Sequence, residues 1–183
     1  MPAELSAAAL NHSDRARFVV DSWGEQNLYC PNCSSTKLKL SGSQTGNFSC
    51  PDCQSRFYLK GQQSPIGDSI AAGEYDVVTR AMRGGKVLGY FFLHYEPGAW
   101  TVRNLLLVPL FAVPQTAIAR RATRCHFLLE RIPAEARIMI VTTIRSDSAG
   151  GTECIMISRP ADVREKFRRL KPRQGKNSHV AAA

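Results

Sequence analysis

No run of apolar residues in this 183-residue sequence approaches a membrane span: the longest, Leu105 to Val113, has nine positions and is interrupted by Pro109, where a spanning helix needs about 20. Lysine and arginine are missing from the first 14 positions, so Met1 to Leu10 has neither the positive flank nor the apolar centre of a secretory signal. A cytosolic protein is expected. Acidic residues are scarce, 15 against 24 lysines and arginines, for a formal net charge of +9. Residues 159–183 hold eight basic and two acidic side chains, which places most of the excess at one end. Such a balance favours polyanions, meaning nucleic acid or an acidic surface, although many basic tails are merely solvated. A hydrophobic content of 44% against 21% charged excludes a wholly disordered chain and suffices for one globular domain.

Four of the six cysteines form Cys30-x2-Cys33-x16-Cys50-x2-Cys53, the spacing of a four-thiolate zinc site. Each Cys-Pro-Asn-Cys or Cys-Pro-Asp-Cys turn can aim two sulfurs at one cation, and the 16 residues between the pairs suffice for a β-hairpin. Four buried thiols or two disulfides are the alternatives, disfavoured because a cytosolic chain keeps thiols reduced. A closed four-sulfur site leaves no open position for substrate, so the expected zinc is structural. Cys125 and Cys154 lack such partners and read as small buried hydrophobes.

Along the chain, Ser13 and Asp14 followed by Phe18, Val19 and Trp23 at helical spacing predict a capped helix ending near Gly24. Lys37 to Leu40 alternates like a strand, Ser41 to Gly46 is turn material, and Asn47 to Ser49 begins a return strand expected to continue beyond the second cysteine pair as Ser55 to Lys60. Asp68 or Ser69 is expected to cap a helix running to about Met82, stopped by Gly84 and Gly85. Val87–Tyr95 and Trp100–Val108 read as a hairpin around Pro97-Gly98, Arg137–Thr142 and Cys154–Ile157 as further strands, and Asp147–Thr152 as a flexible loop. Val163, Phe167 and Leu170 mark a helix over Ala161–Leu170, entered through Pro160. The sum is an α/β or α+β domain over 13–170, with a mixed sheet flanked by helices and an embedded zinc ribbon at 28–55. Residues 1–12 are expected to be a flexible N-terminus and 171–183 a disordered basic tail.

A set of blocks in fixed order then identifies a relative. Trp23 precedes Tyr29 and the first cysteine pair, and Phe57-x-Leu59-Lys60 follows the second. Later come Ile70, Gly73, Tyr75 and Arg80, the run Tyr90, Phe91, Phe92, Leu93 and Tyr95, then Asn104, Leu106 and Pro109, Ala119-Arg120-Arg121-Ala122, and Pro133 before Arg137-Ile138. Over residues 12–142 this resembles the zinc-bearing catalytic domain of the DpnI-type, Dam-replacing restriction endonucleases. The resemblance implies a PD-(D/E)xK nuclease fold, Mg²⁺-dependent cleavage of double-stranded DNA and, in the best-known members, a preference for adenine-methylated sites. Its catalytic Asp and Glu-x-Lys fall on Asn47, Tyr58 and Lys60. A winged-helix module often follows this domain in the family; with about a dozen residues after Leu170, none is expected here.

Two of those three positions have changed, and the change has a physical consequence. Magnesium is a hard cation held by carboxylates, waters and phosphate. Asparagine offers one neutral carbonyl oxygen and tyrosine a phenol, so weak or absent metal-dependent cleavage is expected. Strand alternation places Arg56, Tyr58 and Lys60 on one face and Phe57 and Leu59 on the other. That cationic face could bind backbone phosphate without metal, or simply be solvated. Arg120, Arg121 and Arg124 would, if helical, lie on neighbouring turns and could do likewise, or form an ordinary basic surface turn.

Replacement carboxylates are sought first at Asp21 and Glu74. Asp52, Asp68, Asp76 and Glu25 are read as knuckle, cap or helix residues, and His94 and His126 have no ligand partner at diagnostic spacing. Three functions therefore stand open. One is a DNA-binding protein with a degenerate nuclease site, using Arg56, Lys60, Arg120, Arg121, Arg124 and the basic tail. Another is an active Mg²⁺-dependent endonuclease with relocated carboxylates. The third is a zinc-stapled module that binds RNA or protein.

Overall fold

The long apolar runs become the spine of a sheet buried on both faces. In the computed structural model, which describes residues 12–42, 46–145 and 153–172, the chain forms helix α1 (His12–Asn27), strands β1 (Lys39–Leu40), β2 (Asn47–Ser49), β3 (Arg56–Gln62) and β4 (Ser69–Glu74), helix α2 (Tyr75–Gly84), strands β5 (Val87–Glu96), β6 (Thr101–Pro109), β7 (Ile118–Arg121), β8 (Arg124–Leu128), β9 (Ile138–Arg145) and β10 (Glu153–Ile157), and helix α3 (Pro160–Leu170). Seven strands make a mixed sheet in the order β1-β2-β3-β5-β6-β9-β10, and three make a second sheet, β4-β8-β7. All pairings are antiparallel except β3 with β5. A parallel pair requires a crossover, and β4 with α2 provides it.

Alternate residues of β5 serve opposite layers. Phe91 and Leu93 join Val20, Trp23, Phe57, Leu59, Val163 and Phe167 in one core, where α1, α3 and the cysteine ribbon pack. Tyr90 and Phe92 join Ile70, Val78, Val108 and Phe127 in the other, beneath α2 and the small sheet. Burial on both faces explains why β5 and β6 read as continuous apolar runs rather than alternating ones. The molecule is thus the mixed α+β, nuclease-like sheet expected from the sequence, with helices on its flanks.

Several local expectations are corrected. Ser69–Glu74 is a strand, not the start of a helix: Ile70 and Ala72 alternate into the core and the strand pairs with β8, with a register irregularity at Ala72, so tertiary pairing overrides the apparent cap. Arg120, Arg121 and Arg124 lie on the β7–β8 hairpin rather than a helix, with Ala122 turning through φ 53°. β3 does not continue β2; the second cysteine turn reverses the chain, and β3 pairs antiparallel with β2. α1 runs past Gly24 to Asn27, and Phe18 is 42% exposed instead of facing the core. Residues 1–11 of the expected flexible N-terminus, the 147–152 loop, the tip of the 41–46 turn and all but two residues of the basic tail lie outside the described residues, while His12 already belongs to α1. Cys125 is buried, whereas Cys154 is exposed on the edge strand β10 instead of buried.

Glycine explains how α1 approaches the sheet. A Cβ on Gly24 would meet the Phe48 ring at 2.6 Å and Leu59 at 2.8 Å, and one on Gly61 would meet Val20 at 2.6 Å. Both positions therefore let helix and strand touch backbone to side chain. That close seat fixes where Arg17 and Asp21 stand relative to β3.

Candidate functional site

The cysteine ribbon is assembled by backbone donors. The amides of Asn32, Ser35 and Cys53 point at the sulfurs of Cys30, Cys33 and Cys50 at 3.4 to 3.5 Å, an arrangement that neutralises thiolate charge. All four Sγ atoms lie within 4.8 Å of one another. Cys30–Cys53 and Cys33–Cys50 are 3.6 and 3.5 Å apart, close to the ~3.8 Å edge of a tetrahedron with Zn–S bonds of about 2.3 Å. The donor set therefore fits zinc. Helix α3 braces it: the Arg164 guanidinium donates to the carbonyls of Cys30 and Ser35 at 3.0 and 2.9 Å and stacks over the Tyr29 ring. Lys171 donates to the Asn32 side chain, whose amide in turn donates to Ser55 Oγ.

A cleft of about 380 Å³ opens beside β3. Among the described residues β2 covers only Arg56–Tyr58 of β3, so the later part of β3 borders a gap bounded by α1 on one side and the β4–α2 junction on the other. The lining includes Arg17 and Asp21 from α1, Asn47 from β2, Tyr58 and Lys60 from β3, Glu74 at the end of β4, and Arg124 from β8. Asn47 and Tyr58 are direct cross-strand partners, so their side chains share a face. The Tyr58 ring packs on Tyr90 at 4.9 Å between centroids, which holds the phenol in the wall.

Asp21 is buried, and one carboxylate oxygen accepts a 3.0 Å hydrogen bond from the Gly46 amide. Burial raises its pKa from 3.8 to about 6, partly opposed by that hydrogen bond; Glu25 adds to the rise and Arg17 reduces it. Gly46 itself has φ +77°, and a Cβ there would lie 2.6 Å from the Leu59 carbonyl, so the anchor for Asp21 requires glycine. The Lys60 ammonium is pushed below its ordinary value, first by loss of solvation and then by the neighbouring charges of Arg17 and Arg124. Burial likewise raises the Tyr90 phenol.

The fold gathers Asn47, Tyr58, Lys60 and Arg124 from the sequence-derived set, together with both carboxylates singled out there, Asp21 and Glu74. Arg56 lines a neighbouring recess that shares Asn47 and Tyr58. Arg120 and Arg121 stand apart from the cleft lining. The Arg120 guanidinium sits 5.2 Å over the Tyr75 ring and donates to the Ala122 carbonyl, bracing the hairpin tip. His94 meets Asn104 and His126 meets Ser69, both outside the cleft. Arg17 carries no chemical signature in the sequence beyond its i,i+4 spacing from Asp21, which places the two on one helix face.

Among the described residues no helix is long and apolar enough to cross a membrane. Comparison with protein families matches residues 1–150 to the family described as DpnI: Dam-replacing family. The match takes in the cysteine ribbon and every element lining the cleft, and it ends ahead of β10 and α3.

Proposed function

The chain belongs to the Dam-replacing DpnI family, and from that premise we propose that it is a double-stranded DNA-binding protein whose phosphodiester-cleaving centre is silent. One observation carries the reading: the paired strand positions that face each other beside Lys60 are Asn47 and Tyr58, an amide and a phenol. Neither supplies the anionic oxygen that Mg²⁺ requires. The nearest carboxylate on α1, Asp21, is buried and committed to the Gly46 amide. At the family's metal-binding positions the donor set therefore does not fit magnesium.

DNA binding rests on the cationic wall. Lys60 and Arg124 line the cleft and Arg56 the adjoining recess, while Arg121 projects from the hairpin and Arg120 braces it. Zinc at Cys30, Cys33, Cys50 and Cys53 has a structural role here, holding the turn from which β3 returns beside β2. Affinity for a duplex should fall with salt at a log–log slope of about −0.9 per phosphate neutralised. Absence of duplex binding at ~50 mM salt overturns the reading, and tighter binding to single-stranded RNA or an acidic protein would move the function to the interaction-module class.

A second reading has its own observation: Asp21 and Glu74 line the same cleft as Lys60, so an endonuclease with relocated carboxylates remains chemically intelligible. Purified protein incubated with methylated and unmethylated plasmid in Mg²⁺ or Mn²⁺ decides between the two. Uncut plasmid at high protein supports silence; cleavage that Glu74→Gln abolishes supports relocation. The double substitution Asn47→Asp, Tyr58→Glu restores the family's carboxylates and should confer nicking if the rest of the scaffold is intact.

A further inference from the structure

Resting on the DNA-binding reading, we propose that Arg17, Lys60 and Arg124 form a metal-free cradle for one backbone phosphate of duplex DNA, with Arg17 completing it from α1. The three cations come from three separate elements, a helix and one strand of each sheet, and all line one cleft. Like charges do not gather without a reason. Two carboxylates, Asp21 and Glu74, share the cleft, so cations outnumber anions, and Asp21 is turned toward the Gly46 amide. An incoming phosphodiester would supply the missing negative charge.

The cleft's construction supports the same ligand. Gly24 and Gly61 let α1 rest directly on the sheet, which is what carries Arg17 to the level of Lys60. Two guanidinium groups suit a phosphate because each presents paired N–H donors to neighbouring oxygens, whereas Lys60 acts as a point charge. The Tyr58 phenol lies in the same wall as a neutral polar group. A volume of about 380 Å³ accommodates a phosphate with its flanking sugars but no folded partner. The Lys60 pKa is depressed first by loss of solvation and then by the charges of Arg17 and Arg124, which fits an ammonium whose counter-anion is the ligand. The arrangement thus exchanges a divalent ion held by carboxylates for fixed side-chain cations, and it would hold DNA without cutting it.

The test uses full-length, zinc-loaded protein and a fluorescein-labelled 16-base-pair duplex, with no divalent cation added. Arg17→Gln is compared with the parent and with Arg83→Gln, an exposed residue at the end of α2 outside the cleft. The cradle predicts about a tenfold loss of affinity for Arg17→Gln and a salt slope less negative by about 0.9, with Arg83→Gln unchanged. Saturating duplex should also protect Lys60, but not Lys86, from acetylation as read by mass spectrometry. If the parent binds the duplex and Arg17→Gln matches it in affinity and slope, the cradle is wrong while the DNA-binding reading stands. If the parent itself fails to bind, both fall. Melting temperatures of the variants equal to the parent's separate loss of contact from loss of fold; should Arg17→Gln melt early, Lys60 protection in the parent alone decides, and unprotected Lys60 overturns the proposal.

Discussion

Replacing Asp21 by asparagine should stabilise the protein at neutral pH. The carboxyl is buried and its pKa is raised from 3.8 to about 6, so between those values the native state binds a proton that the unfolded chain has already released. Stability is therefore fully present below the unfolded pKa and is lost as pH rises through about 6. At 1.36 kcal/mol per pKa unit, the ionised carboxylate costs about 3 kcal/mol at neutral pH. Asparagine has the same shape, keeps an oxygen to accept the Gly46 N–H, and cannot ionise. Allowing about 1 kcal/mol for the weaker hydrogen bond to a neutral acceptor, Asp21→Asn should gain about 2 kcal/mol. For a chain of this size that is a rise of roughly 4–8 °C in melting temperature. Urea titrations across pH 4 to 8 read both consequences: a stabilised variant at the upper end and a flatter stability profile between about pH 4 and pH 6. A variant less stable than the parent at neutral pH, or one with the parent's pH profile, would refute the account of Asp21 as an ionised group held against its solvation.

Three further outcomes follow from the packing. Purified protein should contain one zinc per chain by elemental analysis, and Cys33→Ser should lower both zinc content and melting temperature; unchanged values would remove the metal from the ribbon. Gly61→Ala places a methyl 2.6 Å from Val20 and should cost about 1–3 kcal/mol by overpacking, detectable as an earlier urea midpoint; a parental midpoint would contradict the close seat of α1. Phe167, fully buried against Phe57 and Phe111, lies beyond the family match, and Phe167→Ala should cost about 3–5 kcal/mol. A negligible loss would mean that α3 is not part of the core.

The ribbon was legible because its chemistry is local: each Cys-x2-Cys turn carries two ligands within four residues, and such spacing survives any tertiary context. The hairpin of β5 and β6 was legible for a similar reason, since Pro97 and Gly98 punctuate two apolar runs. Ser69–Glu74 was misread because a capping residue before mixed sequence looks helical until β8 is present to pair with it. For Arg120, Arg121 and Arg124 the sequence leaves helix and surface turn open, because Ala122 and Thr123 are weak turn signals; the structure makes a hairpin of them. Arg17 was invisible as a site residue because nothing near it in the chain announces chemistry.

What the sequence determined by itself is the ribbon, the family, and the loss of two carboxylates at Asn47 and Tyr58, all of which depend on residue identity or short spacing. Only the tertiary structure decided that Arg17, Asp21, Lys60, Glu74 and Arg124 line one cleft, because that meeting depends on two glycines letting a helix settle on a strand and on a parallel crossover bringing the small sheet alongside. Contacts between residues scores of positions apart are set by packing, which no local pattern encodes.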